Sequence, residues 1–245
     1  MSSNLYLGID ACPYGWITLV IKKNRGWELE IFEDIEQLWT NYDNASIILI
    51  DIPIGLRSKG GEPRLCDAAA RDYLGKRSSC IFPTPCRKAL RAVSYEEANK
   101  INRELTGKGL SKQTYNIMPK IREVDSLLTS DDMASSIFIE CQPEVCFTAL
   151  NNNQPLEYYK KKKKGIQQRL ELLQTHWDFD KNPFEIGRKR FNLSEVAIDD
   201  ILDAWVLGIS AALGKDKLKF LPENYEHDLK GLPMRMAVPE SGHNN

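Results

Sequence analysis

Histidine is scarce in this chain: three residues in 245, at His176, His227 and His243, all far in sequence from any cysteine. The six cysteines (Cys12, Cys66, Cys80, Cys86, Cys141, Cys146) make no C-x-x-C pair. A cysteine–histidine zinc site is therefore not expected. Nor is a disulfide framework, which belongs to short secreted chains. The thiols read as buried or idle. No apolar run approaches the roughly 20 residues that a membrane helix needs. Residues 1–4 lack the basic stretch and apolar core of a secretory signal. The expected setting is cytoplasmic, with no membrane involvement. There is no internal repeat and no Walker motif, because Thr106-Gly107-Lys108-Gly109 is too short a match.

What is present suits a globular protein: 42% hydrophobic and 27% charged residues. The net charge of −1 hides a segregation. Residues 57–91 carry nine basic side chains against three acidic ones, so the remainder of the chain is acidic. A basic segment beside an acidic remainder suits a polyanionic substrate held near a metal site, although a solvated surface with ordinary charge scatter gives the same count.

Local patterning sets an order of elements. Residues 5–9 form an apolar run ending at Asp10. Strand-like segments follow at 16–22 and 27–32, joined by a hairpin turn at Asn24-Arg25-Gly26. Ile35, Leu38, Trp39 and Tyr42 recur at helical spacing. Residues 46–50 are aliphatic after the serine and close on Asp51, as for a strand covered on both faces. Pro53 must then leave the sheet. Residues 57–135 read as a helical insertion or subdomain after the fourth strand, with helices at 63–74, 94–105 (Ser94 and Glu97 forming a capping box) and 111–128, the last interrupted near Pro119. A strand at 136–139 leads to a short helix from Pro143-Glu144. Five lysines, 160–164, open a helix running to about 176; they read as a solvated helix start, with phosphate contact as the functional alternative. A strong helix spans 195–213. Residues 1–222 read as one domain, and the Pro- and Gly-containing stretch 223–245 as a frayed tail.

Within this order four carboxylates stand out. Asp10 and Asp51 each end an apolar strand, the edge of an α/β sheet where ligand sites form. Asp200 and Asp203 lie three apart on a helix and share a face; Asp199 is also one turn from Asp203, so periodicity leaves Asp199 and Asp200 open. Clustered acids repel, and burial worsens the repulsion. A hard divalent cation, Mg²⁺ or Mn²⁺, relieves both effects. Four carboxylates can hold two ions, the arrangement that clamps the attacking water and leaving oxygen of a phosphodiester. A strand-end aspartate alone is more often a turn former, so the weight lies in the combination.

Acids at the first strand, the fourth strand and a late helix resemble the layout of the ribonuclease H-like fold, closest to the Holliday-junction resolvase branch. There the last helix carries two acids three apart, the second followed by Ala. Asp200-Ile201-Leu202-Asp203-Ala204 matches, which favours Asp200 over Asp199. More narrowly, the chain resembles the domain-of-unknown-function 429 family of predicted nucleases. The matching stretches are Gly8-Ile9-Asp10 with Gly15-Trp16, Ile50-Asp51-Ile52-Pro53-Ile54-Gly55-Leu56, Arg64 to Asp67 with Ala70-Arg71, and Phe82-Pro83 before Arg87. Thr106-Gly107-Lys108-Gly109-Leu110, Pro119 to Asp125, Pro143-Glu144 and Asp199 to Ala204 complete the set.

The resemblance implies a mixed α/β sheet flanked by helices and a metal-dependent nuclease. Its catalytic and metal-binding residues would be Asp10, Asp51, Asp200 and Asp203, with Glu144 as a further metal ligand and Glu140 a weaker candidate. Arg64 and Arg71, at helical spacing about Asp67, could present guanidiniums to a phosphate. Lys120 and Arg122 could bind substrate or form an internal salt-bridge network with Glu123 and Asp125. The expected partner is nucleic acid, DNA or RNA. Two alternatives stand beside this: a phosphotransferase of the actin-like ATPase fold, with Gly8-Ile9-Asp10 and Gly15 as a phosphate loop but no Gly-rich pair for the second phosphate-binding hairpin and adenosine loop that such folds need, and a non-catalytic nucleic-acid-binding member of the same fold.

Overall fold

A computed structural model describes residues 5–23, 26–177 and 179–240. Strands β1 (Leu5–Ala11), β2 (Trp16–Lys22) and β3 (Trp27–Phe32) come first; positions 24 and 25 of the expected turn lie outside the described residues. Helix α1 (Ile35–Tyr42) follows. Asp34 caps it by accepting from the Gln37 amide, and Ile35, Leu38, Trp39 and Tyr42 are its buried face, as their spacing requires. Strand β4 (Ile47–Ile50) is buried throughout. The five-stranded sheet is completed by β5 (Phe138–Glu140), in the order β3-β2-β1-β4-β5. β1, β2 and β3 pair antiparallel, whereas β4 and β5 run parallel to β1. This mixed sheet flanked by helices is consistent with a ribonuclease H-like α/β fold.

Between β4 and β5 lie α2 (Leu65–Leu74), 3₁₀ turns at Gly75–Cys80 and Arg87–Arg91, α3 (Tyr95–Thr106), α4 (Lys112–Ser130) and α5 (Asp132–Ile137). Ser94 caps α3 by accepting from Glu97 N, but the Glu97 carboxylate reaches the Val93 amide rather than that of Ser94. Helix α4 is not interrupted at Pro119, contrary to the sequence expectation. An internal proline costs about 3 kcal/mol of helix propensity. Burial of Met118, Ile121, Val124, Leu127 and Leu128 along one face offsets it. These helices do not stand apart from the sheet. Residues of α4 and of the 3₁₀ turn at Arg87–Arg91 share a core with Leu7, Ile9, Ile48 and Ile50.

The opposite face of the sheet is covered by α6 (Pro143–Leu150), α7 (Lys163–His176), α8 (Pro183–Arg190) and α9 (Ile198–Ala212). There Ile17, Leu19, Ile47 and Leu49 meet Ile201, Trp205 and Phe147. The sequence reading had no helix at α8.

The tail is the clearest correction. After a 3₁₀ turn at Lys215–Lys217, β6 (Leu218–His227) and β7 (Pro233–Pro239) form an antiparallel hairpin rather than a frayed end. Met234, Met236 and Val238 pack with Cys66, Ala70 and Leu74 of α2. The turn is held by the Asp228 carboxylate, which accepts from Leu56 N at 2.8 Å, from Lys230 N at 2.7 Å and from Arg87 Nη2 at 2.5 Å. A proline-rich composition does not reveal a partner helix some 160 residues upstream. Among the described residues no helix is long and apolar enough to cross a membrane.

Candidate metal centre

The parallel ladder brings the first acids together. Ile9 pairs with Ile50, and the Asp51 amide continues the ladder by donating to Ile9 O at 3.0 Å, so Asp51 stands level with Asp10. Strand periodicity decides the side on which they project. Leu7, Ile9, Ile48 and Ile50 face the α4 core; Gly8, Asp10 and Asp51 therefore face α9. Gly8 is what lets α9 come close. A Cβ there would lie 1.9 Å from Gly208 N and 2.4 Å from Ala204 O. Direct backbone contact between β1 and α9 places Asp203, at the next turn toward the helix start, over Asp10.

The electrostatics report the same convergence. Asp10 is 7% and Asp203 1% exposed. Burial holds the Asp10 carboxyl well above its ordinary range, and the charges of Asp51, Asp203 and Asp200 raise it further. Burial and Asp203 push Asp51 up to about 7. Burial raises Asp203 as well, against the pull of Lys160. Asp200 is pushed up to about 6 by burial, with Asp199 and Asp203 adding to the shift.

The two contested aspartates have different partners. Asp200 Oδ2 accepts from Ala197 N at 2.9 Å and so also caps α9. Asp199 Oδ2 lies 3.3 Å from Lys160 Nζ. Position alone does not separate them, because both border the cluster.

Lys160, the first of the five lysines, is not at a solvated helix start but pairs with the acids. Its ammonium reaches Asp203 Oδ2 at 2.6 Å. Burial works against its charge, but Asp203 and Asp10 more than compensate and raise its pKa. Five consecutive lysines offered no sign of which one turns inward; the fold of the 155–162 segment selects the first.

A second group of acids lies at the end of β5. Cys66, Asp67 and Glu140 bring their donor atoms within 4.8 Å of one another, the one such triad among the described residues; the aspartates do not close to that distance. The triad, however, already holds a cation. Arg64, 2% exposed, donates to Asp67 and to both Glu140 oxygens, with Nη2 at 2.5 and 2.7 Å from Asp67 Oδ1 and Glu140 Oε1. It also donates to Ile54 O and Gly55 O at 3.0 and 3.1 Å, and Glu140 accepts from Ile54 N at 2.7 Å. The stretch 52–56 is thereby fixed in place. Arg64 has all five donors committed, so the expectation that it grips a phosphate is corrected: its role here is to neutralise two buried carboxylates.

The remaining candidates separate clearly. Glu144 lines the same 280 Å³ cavity as Asp51 and Asp203. Its charge is matched by Arg169 at 2.6 Å and Arg77 at 3.9 Å, and Oε1 keeps no hydrogen-bond partner. Arg71 binds Ile81 O through Nε and Nη2 and faces a neighbouring cavity. Lys120 and Arg122 are not brought to either cavity. Two residues apart on a helix, they cannot share a face. Lys120 pairs with Glu123 at 3.0 Å over the Trp16 ring, Arg122 points outward, and Asp125 pairs with Arg87 at 2.6 Å. Of the salt-bridge alternative, the Lys120–Glu123 pair forms, while Asp125 takes Arg87 as its partner instead.

The donor set fits a hard divalent cation. It consists of carboxylate oxygens, crowded and buried enough to be pushed toward the protonated form, with one ammonium in direct contact. No curated protein and no solved structure matches the chain. The model of a family described as "Protein of unknown function (DUF429)" matches residues 8–227. That span holds all of the acids and basic residues above, and the chain belongs to the DUF429 family.

Proposed function

We propose that the chain is a metal-dependent phosphodiesterase, a nuclease acting on DNA or RNA, in which Asp10, Asp51 and Asp203 hold Mg²⁺ or Mn²⁺. The observation that carries this reading is the convergence of carboxylates from the ends of β1 and β4 and from α9, all raised in pKa by burial, with acidic neighbours raising Asp10 and Asp51 further. Asp200 joins them through its free oxygen. Glu144 stands behind them, since Arg169 already balances it. When bound, such an ion polarises a phosphoryl oxygen and makes water a nucleophile near neutral pH.

The chain's own part is positioning. Sheet hydrogen bonds hold Asp10 and Asp51 level, and the Gly8 contact sets the height of Asp203 above them. Lys160 balances Asp203 while no other cation is there and, being 40% exposed, is free to turn toward an incoming phosphate. Five acidic and two basic side chains line the cavity, so a bare phosphodiester is repelled from it. Such a group enters only with added positive charge, which makes hydrolysis strictly cation-dependent.

Titration of Mn²⁺ and Mg²⁺ against single-stranded, duplex and branched nucleic acids tests the reading. Hydrolysis should require the cation and fall on the order of a hundredfold or more in Asp10→Ala and Asp203→Asn. Turnover that survives both substitutions sinks it.

A further inference from the structure

A second cavity, of 420 Å³, adjoins the acidic one, and Arg64, Asp67, Ser79, Ile81 and Thr84 line both. Its charge is opposite in sign: four basic and two acidic side chains surround it. Two of the basic groups have no carboxylate within ion-pair distance among the described residues. Arg71 is anchored to Ile81 O by Nε and Nη2, which fixes the plane of its guanidinium and leaves Nη1 uncommitted. Lys108 is exposed at the tip of a turn. A third, Arg57, pairs with Glu226 at 2.9 Å but keeps its Nε–H buried without an acceptor.

The turn that carries Lys108 is built with buried polar groups. Asn102, 4% exposed, donates to Lys108 O at 2.8 Å and accepts from Cys86 N at 2.8 Å, which ties the turn to the segment at Cys86, another lining residue of the cavity. Lys108 N donates to Thr106 Oγ1 at 3.2 Å, and Gly107 adopts φ +72. A buried side chain thus fixes the backbone from which the exposed Lys108 side chain projects. This is the Thr106-Gly107-Lys108-Gly109-Leu110 stretch, for which the acidic centre has no use.

We infer that this basic cavity is a phosphate subsite for a single nucleic-acid strand, with Lys108, Arg71 and Arg57 contacting a backbone phosphate next to the one at the acidic centre. The inference rests on the phosphodiesterase reading. Cations at the aspartates neutralise the phosphate being cut, but the phosphates on either side of it would still meet an acidic wall. A neighbouring cavity of opposite sign removes that penalty. Its volume is that of a small-molecule pocket, which takes one nucleotide unit and not the width of a duplex.

The experiment measures binding of a short fluorescein-labelled oligothymidylate by anisotropy with Ca²⁺ in place of Mg²⁺ or Mn²⁺, so that the acidic centre carries a hard cation, and the strand is checked to be intact after each titration. Lys108→Glu should weaken binding about tenfold, equivalent to about 1.4 kcal/mol. Arg71→Ala should act similarly, with Arg71→Lys recovering most of the loss. Each lost contact should reduce the slope of log K against log salt by about 0.7. Lys215→Glu, an equal charge change outside both cavities, should bind as wild type. The proposal is overturned if the wild type does not bind the strand, if Lys108→Glu and Arg71→Ala stay within about twofold of it, or if a duplex of the same length binds more tightly. The two readings fail separately. Charge-dependent binding without Mn²⁺-dependent cleavage keeps the subsite and removes the nuclease; cleavage with unaltered binding by the variants does the reverse.

Discussion

Lys160 Nζ lies 2.6 Å from Asp203 Oδ2, and it is the cation in direct contact with the acidic cluster. A residue in that position competes with any metal ion for Asp203. It also stabilises the cation-free fold.

The competition has opposite signs in two measurements. With EDTA present, Lys160→Ala should lower stability by about 1 kcal/mol, a modest value because the ammonium is partly exposed. In calorimetric titration the same variant should bind Mn²⁺ roughly fivefold more tightly. Weaker Mn²⁺ binding would instead mean that Lys160 supports the ion site and does not oppose it.

Stability should fall with rising pH when metal is absent. Asp51 and Asp200 are pushed from 3.8 up to about 7 and about 6 in the folded protein, mainly by burial. Between the unfolded value near 4 and these raised values the folded state binds more protons than the unfolded state, so the slope of unfolding free energy against pH is negative. The contribution is complete below about pH 4 and is lost through pH 7, amounting on the order of a few kcal/mol. Considered for these carboxylates alone, Tm in EDTA should therefore be higher near pH 5 than near pH 8, and saturating Mn²⁺ should flatten the difference. A Tm that rises over this range without metal contradicts the assignment.

Arg64 should be the most costly surface-independent charge to remove. Arg64→Met leaves Asp67 and Glu140, 2% and 5% exposed, without a counter-ion. Breaking a buried pair in this way costs about 3–5 kcal/mol. Arg64→Lys should recover little, because an ammonium cannot serve two carboxylates and two carbonyls from one plane. Urea unfolding midpoints check both; a loss below about 1 kcal/mol would show that the network contributes little.

Gly8→Ala tests the link between fold and site. The new methyl would sit 1.9 Å from Gly208 N, and a backbone atom inside a helix cannot step aside. α9 must lift from β1, carrying Asp203 away from Asp10. We expect a loss of about 3 kcal/mol or more, and a loss of Mn²⁺ affinity that persists at temperatures where the variant remains folded. Gly208→Ala faces only the Leu19 side chain, at 3.0 Å, and should be milder in both readouts.

Several features were legible in the chain because their causes are local. Short apolar, strand-like runs mark β1, β2 and β3, and the aliphatic run before Asp51 marks β4. Helical spacing of its apolar residues marks α1. Asp10 and Asp51 were recognisable because each ends an apolar strand, and Asp203 because an apolar helix face follows it. Gly8 belongs to the Gly8-Ile9-Asp10 stretch, but nothing local says that a helix backbone presses on it.

What the tertiary structure alone decided is which charges meet. Arg64, Arg71, Lys120 and Arg122 are equivalent cations in the sequence, yet one is buried in a carboxylate network, one faces a cavity, one pairs along its own helix and one points to solvent. Lys160 reaches Asp203 across 43 residues and Asp228 reaches Arg87 across 141. Charge pairing acts over a few ångströms of space and is indifferent to chain separation, so composition and periodicity carry no record of it. Strand and helix, set by neighbours within one turn or one pleat, are written in the sequence; the identity of the counter-ion at the acidic centre, and the hairpin that closes the tail, are set only when the chain has folded.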